Sequence, residues 1–278
     1  MAAEKEKTAP FVKKFNGIEK LSSEEFLLIF RKYDKDGNGY IERGELDRFL
    51  SDILRQKLAN AQDLDELRKT ILDKYDTNAD GKISLSELAL ILPTQENYLS
   101  AIVNNNRLHV VDFMKIWYHY DRDKSGYLEK SELKGFIRDF LLRSLKFDDK
   151  ITPQVIDERT EKVLETFDKN KDGKIEISEL AKFLNVQDNF LMKFKNENDA
   201  LSAEQFDAIF NHYDTDGNGY IEDVELLAFL RDLLQNKRRD PTSKDLEMYR
   251  SCILEISDKD NDGKLSKAEL KILLIPNK

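Results

Sequence analysis

Six aspartates, Asp34, Asp76, Asp121, Asp168, Asp214 and Asp258, each open a twelve-residue stretch that closes on a glutamate. The closing residues are Glu45, Glu87, Glu132, Glu179, Glu225 and Glu269. Between them the third residue is Asp36, Asn78, Asp123, Asn170, Asp216 or Asp260, and the fifth is Asn38, Asp80, Ser125, Asp172, Asn218 or Asp262. Short oxygen-bearing side chains at alternate positions of a tight loop suit a hard cation. Calcium takes six to eight oxygens at about 2.3–2.6 Å. The sixth residue is always glycine, as a sharp turn at that point requires. The seventh binds through its backbone carbonyl, which frees its side chain to be Tyr40, Lys82, Tyr127, Lys174, Tyr220 or Lys264. An ammonium group is no ligand for a cation, so the lysines fit only that role. The ninth, Glu42, Ser84, Glu129, Glu176, Glu222 or Ser266, acts directly or through a water. The twelfth glutamate is long enough to bind with both oxygens.

This is the pattern of the EF-hand loop. One copy is moderate evidence; six copies, each between helical segments, decide the fold. The ligand set predicts up to six calcium ions, with magnesium competing at some loops because it takes the same hard oxygens. Ser125 departs from the carboxylate or amide found at the fifth position elsewhere, so the third loop is expected to be the weakest. The eighth residues, Ile41, Ile83, Leu128, Ile175, Ile221 and Leu265, suit short strands that join two loops back to back.

Helices must hold these loops. Ahead of Asp34 stand Phe26, Ile29, Phe30 and Tyr33; ahead of Asp121, Phe113, Ile116, Trp117 and Tyr120; ahead of Asp214, Phe206, Ile209, Phe210 and Tyr213. This is the spacing of one helix face. Leu46, Phe49 and Leu50 continue it after the first loop. Ser22 with Glu25, and Ser202 with Gln205, predict capping boxes. Odd loops carry Tyr at the seventh position and even loops Lys, so the repeating unit is an odd–even pair of about ninety residues, present three times. The expected architecture is all-α: six EF-hands in three pairs, each pair joined by a two-stranded loop sheet. Residues 1–17 are expected to be a flexible tail, followed by pairs at 18–100, 101–193 and 194–278. The connectors Leu92–Leu99 and Leu184–Leu191 are near copies. Their residues Tyr98, Leu99, Phe190 and Leu191 either dock pairs together or continue a helix.

The chain has 278 residues, of which 36% are charged, and a formal net charge of -9. That balance argues against nucleic-acid binding and against adsorption to anionic membranes. No run approaches a membrane span. Met1–Pro10 lacks an apolar segment, so no secretory signal is expected. Cys252 is the single cysteine, consistent with a reducing compartment and a spectator thiol. His109, His119 and His212 show no zinc-ligand spacing and read as ordinary surface or helix residues. Lys237, Arg238 and Arg239 read as a solvated run. No nucleophile motif, phosphate loop or catalytic dyad supports an enzyme.

The six hands in three pairs, the connectors LPTQENYL and VQDNFLMKF, and LSAEQFDAIF before the fifth loop resemble the calbindin and calretinin family of cytosolic six-EF-hand proteins. The resemblance covers about Leu21 to Leu274. It implies hands packed into a compact globule and a mobile calcium buffer, with some members also binding targets. Well-known vertebrate members have one or two degenerate hands, the sixth among them. Here Asp258, Asp260, Asp262 and Glu269 are all present, which predicts six competent sites. Two functions remain open: a buffer that changes shape little, or a sensor that exposes an apolar groove for a target. Four methionines weigh against the adaptable Met-rich groove of a calmodulin-type sensor. The expected state is a cytoplasmic monomer.

Overall fold

The computed structural model describes residues 20–54, 61–92, 94, 97, 99, 102, 107–144, 151–194, 201–235 and 241–274. The proposed tail, Tyr98 and the Lys237–Arg239 run lie outside the described residues.

Each hand is a helix, a loop with a short strand, and a second helix. Hand 1 comprises α1 (Ser23–Tyr33), β1 (Tyr40–Glu42) and α2 (Arg43–Leu54); hand 2 comprises α3 (Ala61–Tyr75), β2 (Lys82–Ser84) and α4 (Leu85–Ile91). Hand 3 has α5 (Val110–Tyr120), β3 (Tyr127–Leu128) and α6 (Lys130–Ser144); hand 4 has α7 (Pro153–Phe167), β4 (Ile175–Glu176) and α8 (Ile177–Phe183). Hand 5 has α9 (Ala203–Tyr213), β5 (Tyr220–Ile221) and α10 (Asp223–Gln235); hand 6 has α11 (Ser243–Ser257), β6 (Leu265–Ser266) and α12 (Lys267–Leu274).

The strands pair as the alternation predicts, β1 with β2, β3 with β4 and β5 with β6, all antiparallel. Their registers place Ile41 opposite Ile83, Leu128 opposite Ile175 and Ile221 opposite Leu265, and all six are fully buried. Both predicted capping boxes form: Ser22 Oγ accepts from Glu25 N, and Ser202 Oγ from Gln205 N.

The chain divides into two compact units, residues 1–101 with 130–163, and residues 102–129 with 164–278. In the first, α1 packs on α6. Gly135 permits the approach, because a Cβ there would stand 3.0 Å from the backbone nitrogen of Glu24. Asn97 in the first connector donates to the carbonyl of Asp139 at 2.7 Å. In the second unit α5 packs on α10. Trp117 is fully buried there along with Phe113 and Phe229. Each such side chain contributes on the order of 1.5–3 kcal/mol by leaving water. Asn189 in the second connector donates to the carbonyl of Asp232, repeating the Asn97 bond. Phe190–Phe194 forms a short 3₁₀ helix packed on α9 and α10, so this connector docks rather than extending α8.

Candidate metal centres

Each loop folds around its own first aspartate. Oδ2 of Asp34, Asp76, Asp121, Asp168, Asp214 and Asp258 accepts from the backbone N–H of the sixth-position glycine, at 2.8–3.2 Å. Those glycines have φ between 77° and 91°, a region that favours glycine. The third-position side chains Asp36, Asn78, Asp123, Asn170, Asp216 and Asp260 each accept from the amide two residues on. At the fifth position Asn38, Asp80, Asp172, Asn218 and Asp262 accept from the N–H of Tyr40, Lys82, Lys174, Tyr220 and Lys264. That leaves the seventh-position carbonyls free of the fifth side chain.

The third loop differs at this point. Ser125 Oγ donates to the Tyr127 carbonyl at 3.0 Å. The serine hydroxyl thus sits on the carbonyl that the pattern assigns to the ion and uses one of that oxygen's two lone pairs.

The twelfth-position glutamates sit where the exit helices begin. Oε1 of Glu45, Glu87, Glu179, Glu225 and Glu269 accepts from the second-position amide of its loop at 2.7–2.8 Å. Oε2 also accepts from the ninth-position amide in the even hands, Glu87 from Ser84, Glu179 from Glu176 and Glu269 from Ser266, and more weakly in hand 1, Glu45 from Glu42 at 3.5 Å. Ser84 caps α4 in a box with Glu87, and Ser266 Oγ likewise accepts from Glu269 N. The two ninth-position serines therefore act as helix caps. Glu132 stands in the first turn of α6 and is buried.

Several of these oxygens are buried and have no hydrogen-bond partner among the described residues: Asp34 Oδ1, Asp121 Oδ1 and Glu225 Oε2. A buried anionic oxygen without a donor is costly, and a cation relieves it. The carboxylates of Asp34, Asp36 and Glu45 offer oxygens within 4.8 Å of one another, as do those of Asp214, Asp216 and Glu225, and of Asp258, Asp260 and Asp262. Burial raises the Asp34 carboxyl above the ordinary carboxylate range, against the lowering bond from Gly39. The residues present thus fit a hard divalent cation.

The Tyr/Lys alternation at the seventh position also has a physical cause. Lys82 lies over the Tyr40 ring, Lys174 over Tyr127 and Lys264 over Tyr220. The same ammonium groups pair with Glu42 at 2.9 Å, with Glu129 at 3.2 Å, and with Glu222. The odd ninth-position glutamates therefore face a lysine of the neighbouring loop. Opposed charges across paired strands were readable in principle from the strand register.

Two further features escape sequence reasoning. The fourth loop position is left-handed throughout, with φ of 70° at Gly37 and Gly217 and 56–59° at Ala79, Lys124, Lys171 and Asn261. His109 and His212 form a half-buried pair, 3.5 Å between Nε2 and Nδ1, with His212 stacked on Phe190. Burial pushes His212 down to about 4, helped by His109 and Lys193. His212 lies in α9 and His109 caps α5, so they are helix residues, as one of the two expected readings has it, and they pack within the second unit.

Paired helix–loop–helix units with calcium-ligand geometry define the EF-hand class. A family profile described as an EF-hand domain pair matches residues 15–91, 111–185, 157–221 and 203–275. Calbindin-32 of Drosophila melanogaster is 42% identical over 272 residues, covering 93% of this chain and 86% of its own. Calretinin of Gallus gallus is 42% identical over 265 residues, covering 92% and 94%. Secretagogin of Danio rerio is 38% identical over 257 residues, covering 90% and 93%. The chain belongs to the calbindin/calretinin family of EF-hand calcium-binding proteins. These relatives are binding proteins and not enzymes, as the sequence motifs lead one to expect. Among the described residues no helix is long and apolar enough to cross a membrane.

Proposed function

We propose that the protein is a high-capacity calcium buffer with six sites, formed by the loops 34–45, 76–87, 121–132, 168–179, 214–225 and 258–269. The ligands are those assigned above by position, with Glu42, Glu129 and Glu222 held back by their lysines and Ser84 and Ser266 by their helices. The sites work as pairs within 18–100, 101–193 and 194–278, a grouping that the three loop sheets support. The protein acts as a cytoplasmic monomer, and magnesium competes for part of the sites.

The observation that carries the buffer reading is the seating of the twelfth-position glutamates. Glu87, Glu179 and Glu269 already bridge the second and ninth amides of their loops while starting the exit helix. A ligand already seated has little distance to travel when an ion arrives, so little helix movement follows. Six calcium ions carry +12, which against the formal charge of -9 leaves +3. Binding the native state alone, they should stabilise it.

The test is a calcium titration at fixed magnesium, read with a dye that reports exposed apolar surface and with a melting curve. A flat dye signal while about six ions bind, with a large rise in melting temperature, is the expected result. A large saturating dye signal would replace the buffer with a sensor. An unchanged melting curve at saturating calcium would overturn native-state sites.

A further inference from the structure

Loops 1 and 5 are near twins. Asp34–Glu42 reads DKDGNGYIE and Asp214–Glu222 reads DTDGNGYIE, and both carry left-handed glycines at the fourth and sixth positions. Their surroundings differ. Among the described residues nothing stands within 4 Å of where a Cβ would lie at Gly217 or Gly219. At Gly39 that point lies 3.3 Å from Gln154 Oε1 and 3.4 Å from Thr152 Cβ. Gln154 Nε2 also donates to the carbonyl of Gly37.

Thr152 and Gln154 belong to the start of α7, the entering helix of hand 4. Thr152 Oγ1 accepts from Val155 N at 3.3 Å, which fixes the first turn that carries Gln154. The helix is anchored on the same side by Asp157, which pairs with Arg31 of α1 and with Lys134 of α6. All these residues belong to the first unit. The contact recurs in the second. The start of α11, the entering helix of hand 6, brings Ser243 to the corresponding glycine of loop 3, with 3.4 Å between Ser243 Cβ and the Cβ point of Gly126. Glu247 of that helix accepts from Tyr118 at 2.9 Å, where Asp157 meets Arg31 in the first unit.

We propose that Gln154 is a positioning residue for the calcium site of loop 1, acting across pairs from hand 4. The chain path of loop 1 turns through two glycines, each costly to order. A side-chain amide tied to the carbonyl between Asp36 and Asn38 removes part of that freedom before the ion binds, and pre-organisation raises affinity. Loop 5 has the same ligands with no such brace among the described residues, so it serves as the internal reference. This inference rests on the reading of loop 1 as a calcium site.

The experiment uses the full-length ¹⁵N-labelled chain in calcium–chelator buffers, with the Gly39 and Gly219 amides read separately by NMR. Both amides donate to the first-position carboxylate of their loop, so each reports its own site. Two variants are compared with the parent: Gln154→Ala, which removes the side-chain amide, and Gln154→Met, which keeps the length and the neutral charge and loses the donor. Gln154 is exposed, and neither change touches the Thr152 cap. In both variants filling at Gly39 should move to about two- to tenfold higher free calcium, the range of one net hydrogen bond. Filling at Gly219 and the calcium-free melting temperature should stay unchanged. Superimposable Gly39 curves in all three proteins would overturn the brace and leave the site standing. A Gly39 amide that ignores calcium in the parent would overturn the site and the brace together.

Discussion

Tyr213 donates its hydroxyl to Asp232 Oδ2 at 2.7 Å, and both side chains are buried. Tyr33 makes the equivalent bond to Asp52 at 2.9 Å, where the carboxylate is exposed. Burial lifts the Asp232 carboxyl above its ordinary range, while the bond from Tyr213 and the nearby Arg231 pull it back. Removing the donor therefore costs more in hand 5 than in hand 1. Tyr213→Phe should destabilise by about 2 kcal/mol and Tyr33→Phe by about 0.5 kcal/mol. Denaturant unfolding at fixed calcium measures both; equal losses would mean that burial does not set the strength of this bond.

The third loop invites a gain of function. Ser125→Asp exchanges a hydroxyl that donates to the Tyr127 carbonyl for a carboxylate that accepts from the Tyr127 amide, as Asp80, Asp172 and Asp262 do in their loops. Calcium affinity at this loop should rise on the order of tenfold, through an added charged ligand and a freed carbonyl. Filling followed at the Gly126 amide checks it.

The seventh-position lysines place a positive charge beside every loop pair. Replacing Lys82, Lys174 and Lys264 by Met should raise calcium affinity about two- to threefold at low salt, with the gain shrinking as salt screens the charges. Stability should change little at each site, since solvent screens these surface pairs. Titrations at two ionic strengths separate this from a packing effect, which salt would not erase.

Asp157 gives a pH signature. Burial works to raise its carboxyl, but Lys134 at 2.8 Å and the Arg31 contact outweigh it and hold the group below the ordinary carboxylate range. A depressed folded value means stability that is present above the unfolded pKa, near 4, and is lost as pH falls through the folded one. Asp157→Asn should cost about 1 kcal/mol or less at neutral pH, because the side chain is partly exposed. The cost should vanish in acid. Unfolding of parent and variant across the acid limb, without calcium, would show parallel curves if the pair contributed nothing.

The ligand loops and helix faces were legible because both are local. A twelve-residue loop names its own ligands, and Phe26, Phe30 and Tyr33 show their face within three turns of one helix. The strand pairs were legible because Ile41 and Ile83 leave few other partners. What escaped was set by tertiary packing. Nothing near His109 in sequence points to His212, and nothing near Gly39 points to Gln154. The odd–even Tyr/Lys alternation was visible as a pattern, yet its cause is an ion pair and a ring contact between separate loops. The ninth position was the least readable, because Glu42 answers to Lys82 across the sheet while Ser84 answers to its own helix.

Trp117 is the chain's single tryptophan, and it lies fully buried in α5, the helix that runs directly into the loop containing Ser125. Light absorbed at the red edge, where tyrosine is dark, is therefore reported from the contact of α5 with α10. Hand 3, with the unusual ligand set, shares that optical channel with hand 5 through this contact. Rearrangement there can be timed against total calcium uptake in one sample, without attaching a probe.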